Sequence, residues 1–590
     1  MAVEKPNDKV IVRPRHYADL VSRYMRPQAA MVALMGALLL GGTALYLIQP
    51  QIVRYFIDTA RAGGENSALF SAGAAFIGIT IVAQVVSVFA DYTSAQVGWT
   101  ATNNLRNDLA RHCLRLDMSF HKSRTPGEMI ERIDGDPTQL GSFFSRFVID
   151  ILGSVLLLGG ALVLVAREDW RAGLALTLFA GVCMAVLFTL RNIATPYWKA
   201  EREASAQTFG FLEERLSGTE DIRTNNAKPY VMRRFHELMR TWYRKYRMSD
   251  LMGSMMFGST IMMLIFGNAL SLGVGAYLYI NGDVTIGTVY LFLYYTSLLV
   301  WPINSLTSQL DSFQRATTSI SRVVELTQAQ SKVPDGPSAD VSTGPLAVEF
   351  DRVSFSYGEG EAVLHDVSFT LAPGTVLGLL GRTGSGKTTM TRLLLRLYDP
   401  SSGAVRVGGR DVRELKVGAL RERVKLVTQD VRLFQGTVRD NLTFFDPSIP
   451  DERMIEVIHS LGLSRWYESL PNGLDSELSS GGSGLSAGEG QLLAFARVFL
   501  RDAGVVILDE ASSRLDRGTE QMIERAVDRL ARGRTVIIIA HHLATVQRCD
   551  RIMVLEQGRI VEHGDRRALA ADPSSRFARL LKTGLEEVLS

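Results

Sequence analysis

The sequence predicts a chain in two parts: an α-helical transmembrane bundle of about six long spans extended into the cytoplasm, then an α/β domain built round a phosphate-binding loop. Three observations predict it. Apolar runs of bilayer-crossing length recur through the first half, beginning with Met31 to Ile48. In the second half an apolar strand leads into Gly381-Arg-Thr-Gly-Ser-Gly-Lys-Thr and a helical pattern. A later apolar strand, Val505 to Leu508, ends in Asp509 and Glu510.

At 590 residues the chain is too long for one domain. Its mean hydropathy of +0.09 averages an apolar first half against a polar, soluble-like second half. A formal net charge of +3 gives no basic excess, so no nucleic acid is expected as a partner. The cysteines Cys113, Cys183 and Cys549 lie far apart and match no disulfide or zinc spacing, and Cys113 and Cys183 read as inert packing residues. Residues 1–25 are polar, with Glu4 and Asp8 among the bases, so neither a cleavable signal nor a transit peptide is expected. The bacterial plasma membrane is the expected location.

In order, residues 1–27 are expected to be a cytoplasmic N-terminus with an interfacial helix, Tyr17 to Tyr24 being amphipathic and Pro27 ending it. Residues 28–327 form the six-span domain, with apolar runs near 29–50, 68–90, 144–166, 172–190, 253–280 and 286–303. Each approaches the roughly 20 residues a helix needs to span a bilayer. These runs are apolar on all sides, which argues against buried helices of a soluble protein.

Arginine and lysine set the orientation. The connection from Asp91 to Gly141 carries Arg106, Arg111, Arg115, Lys122, Arg124 and Arg132, and that from Arg191 to Asp250 is richer still. The alternate connections are short and poor in bases, so both long loops and both termini are cytoplasmic. Leu105, Leu109, His112 and Leu116 recur at helical spacing, so the spans continue as helices beyond the membrane. Residues 328–345, rich in Pro, Gly, Ser and Asp, read as a linker. The α/β domain occupies 346–590.

The chemistry lies there. Gly381, Arg382, Thr383, Gly384, Ser385 and Gly386 can wrap phosphates with backbone N–H groups, Lys387 reaches the terminal phosphates, and Thr388 and Thr389 follow at the helix start. Thr388 is placed to ligate magnesium. Asp509, at a strand tip, can hold the magnesium shell, and Glu510 can polarise an attacking water.

Leu485-Ser486-Ala487-Gly488-Glu489, with Gly490 and Gln491 beyond, resembles the signature sequence of ABC ATPases. Gln429 resembles their Q-loop glutamine, Asp516 closes a segment resembling their D-loop, and His541 resembles their switch histidine. Tyr357 matches the aromatic that stacks on adenine. The first half agrees: the segment from Leu116 to Ile133 resembles the first cytoplasmic loop of the exporter branch, and Asn281-Gly-Asp, then Trp301-Pro302, its last span. The chain is thus similar to a half-transporter of the type IV multidrug or lipid exporter family.

The resemblance implies ATP and Mg2+ as cofactors, with the metal at Thr388, Gln429 and Asp509 and the hydrolytic roles at Glu510 and His541. It implies that two ATPase domains close head to tail, so that Ser486 and Gly488 touch the partner's terminal phosphate. A drug, lipid or peptide would then move outward by alternating access. An ATP-gated channel or membrane regulator is the alternative. An importer is less consistent with fused domains, and the spans exclude a soluble mechanical ATPase.

The signature departs from the family's LSGGQ. Ala487 adds a methyl where a backbone must approach phosphate, Glu489 adds negative charge, and Ser480 stands where an acid is usual. Such changes favour a heterodimer, this chain keeping the intact catalytic glutamate, over a homodimer. Met252, Met255, Met256, Met262 and Met263 crowd one span, as packing or as an adaptable cavity wall. Gln84, Asp91, Asn268, Asn304 and Asp311 are expected to face a cavity or another helix. His542 beside His541 has no third ligand in view and reads as solvent-facing.

Overall fold

In the computed structural model, six helices among the described residues are long and apolar enough to cross a membrane, as the hydropathy pattern requires. The structure describes residues 14–142, 148–358, 360–429, 431–479, 485–509, 517–540 and 543–583. The chain divides into two compact units: residues up to Leu114 with Pro126–Ala329, and Arg115–Thr125 with the chain from Gln330 onward.

The first unit opens with α1 (Pro14–Met25), the amphipathic helix expected at the membrane surface. The spans are α2 (Ala29–Arg61), α3 (Asn66–Arg115), α7 (Val148–Glu168), α8 (Trp170–Ser217), α10 (Lys228–Ile280) and α11 (Ile286–Gln328). Between them lie α4 (Met118–Lys122), α5 (Pro126–Ile130), α6 (Asp136–Ser142) and α9 (Thr219–Thr224). Several spans far exceed the bilayer, α10 reaching 53 residues, which at 1.5 Å per residue is about 80 Å of continuous helix.

Short caps end these helices. The Asp169 carboxylate accepts from the N–H groups of Arg171 and Ala172 to start α8, and Thr285 caps α11 through the N–H of Thr288. Asp58 of α2 accepts from the N–H of Gly287 at 2.9 Å and the hydroxyl of Thr285 at 2.7 Å, which ties two spans at their short-loop ends.

Small residues let the spans approach. A Cβ on Gly267 would lie 2.8 Å from Phe179 and Thr296, and one on Gly275 2.8 Å from Val289. The apolar core includes Leu176, Leu187, Leu278, Phe292, Tyr295 and Leu299. Below the membrane, Asp136 is fully buried and takes a bidentate bond from Arg322, with Nε 2.8 Å from Oδ2. Among the methionines of α10, Met263 packs on the core while Met255 and Met262 are exposed. Asn304 accepts from Thr260 at 3.1 Å. The side chain of Asp311 lies outside the described residues.

The second unit is built on β3 (Val376–Leu380), β6 (Val424–Val427), β9 (Val505–Asp509), β10 (Thr535–Ile539), β11 (Arg551–Glu556) and β12 (Arg559–Asp565), in the order β12-β11-β3-β10-β9-β6. All but β12 run parallel. Alternate residues enter opposite layers: Val506, Leu508, Val536 and Ile538 join one apolar cluster, Val505, Ile507, Ile537 and Ile539 the other. A sheet covered on both faces explains why these strands read as unbroken apolar runs. A second sheet is antiparallel, β2-β1-β4-β5, from β1 (Val348–Ser356), β2 (Ala362–Leu371), β4 (Ser402–Val407) and β5 (Arg410–Asp411). A short ribbon pairs β7 (Gly436–Thr437) with β8 (Glu477–Leu478).

The segment around α4 belongs to this second unit. Asp117 caps α4 through the N–H groups of Ser119 and Phe120 and accepts from the N–H of Lys332. Burial pulls the Asp117 carboxyl upward, but those donors outweigh it and hold it below its usual value. All three cysteines are buried and none is in a disulfide, and burial pushes the Cys549 thiol up to about 12, which keeps it protonated.

Candidate functional site

Because β3, β10, β9 and β6 run parallel, the residues that follow each leave the sheet at one edge, where parallel α/β sheets bind ligands. Ile539 pairs with Leu379 on one side and Asp509 on the other. Asp509 therefore stands two strands, about 10 Å, from the start of the phosphate loop. Gln429 follows β6 and is exposed at the same edge. Glu510, Asp516, His541 and His542 lie outside the described residues, as does Ser480.

The loop from Gly381 to Gly386 joins β3 to α12 (Lys387–Leu394). Glycine is required at two of its positions. Gly386 has φ +106°, and a Cβ there would lie 2.6 Å from Leu364; a Cβ on Gly381 would lie 2.3 Å from the Leu555 carbonyl. Lys387, 7% exposed, turns its ammonium back over the loop and donates to the carbonyls of Gly381 and Arg382, the second at 3.1 Å. Ser385 is 5% exposed, and its hydroxyl has no hydrogen-bond partner among the described residues. A buried ammonium, an orphaned hydroxyl and successive N–H groups at a helix start make a cradle for an anion with several oxygens. Arg382, Thr383, Gly384 and Thr388 are exposed at its mouth, and Thr389 is buried behind it.

Tyr357 stands beside this cradle. Its hydroxyl lies 3.1 Å from Thr389 Oγ1 and accepts from Arg392 Nη1 at 3.1 Å, both on α12. The rings of Phe355 and Tyr398 meet it edge to face at 4.8 Å and 5.2 Å. The Lys122 ammonium sits 4.3 Å from its ring centroid, a cation–π contact. Sequence reasoning missed Lys122 and Arg392. Nothing local marks Lys122, since the contact joins residues 235 positions apart along the chain.

Thr388, Gln429 and Asp509 offer hydroxyl, amide and carboxylate oxygens. Such hard donors suit magnesium. No cluster of three His, Cys, Asp or Glu side chains exists among the described residues.

Ser486 and Gly488 lie elsewhere, at the start of the helix Ala487–Phe499, which packs against β6 and the helices Val438–Thr443, Asp451–Ser460 and Arg517–Ala531. Ser486 is exposed at its N-cap. Gly488 is buried, and a Cβ there would lie 1.9 Å from Thr519 Cγ2, so close helix packing already requires a glycine. Glu489 closes a capping box: its carboxylate accepts from the Ser486 N–H at 2.8 Å and the Ser486 hydroxyl at 2.9 Å. An exposed helix N-terminus that would draw an anion thus already holds a carboxylate.

Comparisons with known proteins agree with this geometry. A family profile described as the ABC transporter transmembrane region matches residues 32–303, and one described as ABC transporter matches residues 364–513. The chain is 31% identical over 516 residues to an ATP-dependent lipid A-core flippase of Burkholderia pseudomallei, covering 86% of this chain and 85% of the flippase. It is 28% identical over 535 residues to a multidrug resistance ABC transporter ATP-binding and permease protein of Lactococcus lactis subsp. cremoris, covering 90% and 89%. Its fold matches that of a bacterial Atm1-family ABC exporter with ATP bound, at TM-score 0.77 and 24% identity, over 94% of this chain and 98% of that one.

Proposed function

The chain belongs to the ABC transporter family, its membrane and ATP-hydrolysing parts fused as in the exporters, and from that premise we propose that it is one half of a heterodimeric exporter of an amphipathic or hydrophobic substrate. It is a multi-pass membrane protein with a cytoplasmic ATPase domain. The observation that carries the reading is the phosphate cradle, with Lys387 folded over it and the Ser385 hydroxyl unsatisfied.

ATP's phosphates lie in the loop from Gly381 to Thr389, where the Lys387 ammonium offsets their charge and the adenine stacks on Tyr357. Thr388, Gln429 and Asp509 hold Mg2+, which when bound screens the phosphate oxygens. Two such domains close head to tail, Ser486 and Gly488 of each facing the other's terminal phosphate beside Asp516. Glu510 takes a proton from the attacking water as the new bond to the γ-phosphorus forms and that to the β–γ bridging oxygen breaks. His541 donates to the γ-phosphoryl oxygens, and ADP and phosphate leave. Closure turns the spans outward; hydrolysis resets them.

The heterodimer rests on Glu489. Its carboxylate occupies the helix start that must face a partner's phosphate, so this signature is a poor second wall for ATP. A partner with an unaltered signature would complete the site holding this chain's Lys387 and Glu510. The test is ATPase activity of the full chain alone in lipid nanodiscs, beside Glu510→Gln. Little activity from the folded chain is expected; robust turnover that the substitution abolishes would overturn the heterodimer in favour of a homodimer.

A further inference from the structure

We propose that Lys122 gates the base end of the nucleotide site: its ammonium stands on the face of Tyr357 that the base takes, so ammonium and base compete for one ring. This deepens the function proposed above and rests on its reading of Tyr357 as the stacking aromatic. The Lys122 ammonium lies 4.3 Å from the Tyr357 ring centroid. It makes no hydrogen bond or ion pair among the described residues, so the ring is the partner it has there. A base in van der Waals contact with the same face would lie about 3.5–4 Å from the ring. Base and ammonium therefore exclude each other.

The surroundings of the ring say which side a base can use. Tyr357 is half-buried. Phe355 and Tyr398, whose rings meet it at right angles, are 4% and 7% exposed and hold its inner side. Its hydroxyl is held on α12 by Thr389 and Arg392, and the Arg392 guanidinium carbon stays 6.0 Å from the centroid, at the rim. Lys122 is exposed, so it approaches from solvent, as a nucleotide must. Both partners are fixed. The helix α12 begins at Lys387, which sets the ring at a constant distance from the phosphate cradle. On the other side Leu116 is buried, and Asp117, 9% exposed, caps α4 and accepts from the Lys332 N–H, so the short helix that carries Lys122 is anchored within the same unit. A base gains stacking area on the ring but must first lift off a cation that the ring's π face attracts. A polyphosphate without a base fills the cradle and leaves Lys122 where it is. The gate thus acts on the base and is silent towards the phosphates.

The experiment is calorimetric binding of the non-hydrolysable ATP analogue AMP-PNP and of tripolyphosphate, which carries no base, to the full chain in nanodiscs. The readout is the ratio of the two affinities, so that the loss of a positive charge felt by both ligands cancels. Lys122→Ala should raise the ratio in favour of AMP-PNP about threefold, the worth of an exposed cation–π contact. Lys122→Arg, which keeps a cation on the ring, should leave it as in the wild-type chain. Tyr357→Ala should lower it, and in that background Lys122→Ala should have no further effect. An unchanged or lower ratio in Lys122→Ala, an equal rise in Lys122→Arg, or a rise that survives without Tyr357 overturns the proposal. The reading on which it rests fails separately: a ratio that Tyr357→Ala does not move means that the ring does not stack the base, and the proposal falls with it.

Discussion

Glu489→Gln replaces one carboxylate oxygen by an amide and leaves the rest of the capping box in place. The Gln carbonyl can still accept the Ser486 N–H now bound at 2.8 Å, so the helix start keeps its cap. What disappears is one negative charge at the helix start that, in the proposed dimer, would meet a partner's terminal phosphate. Two unit charges about 5 Å apart at an effective dielectric of about 20 repel by about 3 kcal/mol. Glu489 is only half-buried, and salt and water screen it. About 1–2 kcal/mol remains, which is about tenfold in rate or affinity. The assay is ATPase kinetics of the chain alone in nanodiscs, where every signature in the dimer is this one, with thermal unfolding run in parallel. The variant should raise kcat/KM about tenfold while Tm stays within about 2 °C. An unchanged or lower kcat/KM at the same Tm would refute the electrostatic argument, and with it the case for a heterodimer.

Other consequences follow from the same contacts. Lys387→Ala removes the buried ammonium from the phosphate cradle and should weaken ATP binding about 30-fold by calorimetry, whereas Arg382→Ala, exposed at its mouth, should cost less than about threefold. Below the membrane, Asp136 is 0% exposed while Arg322 is 41% exposed. Arg322→Ala strands a buried carboxylate and should destabilise by about 3 kcal/mol, while Asp136→Ala, which frees Arg322 to reach water, should cost about half as much in denaturant unfolding. The Asp117 carboxyl is held below its usual value of 3.8, so the unfolded chain takes up a proton before the folded one does. Its stabilising contribution is therefore full above pH 3.8 and is lost as pH falls through the lower folded value. The Tm gap between the wild-type chain and Asp117→Asn should be constant above that range and close below it.

Much of this architecture is legible in the sequence because the strongest signals are local. The spans are apolar for their full width, β3 and β10 are buried at every residue, and the phosphate loop needs glycine where side chains would collide. Local signals fail where contacts are tertiary. Nothing in the sequence places Arg115–Thr125 with the ATPase unit, or Lys122 on Tyr357, because a cation–π pair has no spacing rule. Glu489 is instructive in another way. Its charge reads as a defect of the signature, yet Ser486-Ala-Gly-Glu489 is also a capping box, and the structure uses it as one.

The decisive measurement is ATP-dependent accumulation of an amphipathic fluorescent dye in sealed inside-out membrane vesicles from cells expressing the chain with its partner half-transporter, beside vesicles carrying Glu510→Gln. Concentrative uptake that requires hydrolysable ATP is expected, and it should disappear in the variant while nucleotide stays bound. Flux that only equilibrates the probe, or accumulation undiminished by Glu510→Gln, would contradict an ATP-driven exporter powered from this chain's phosphate loop.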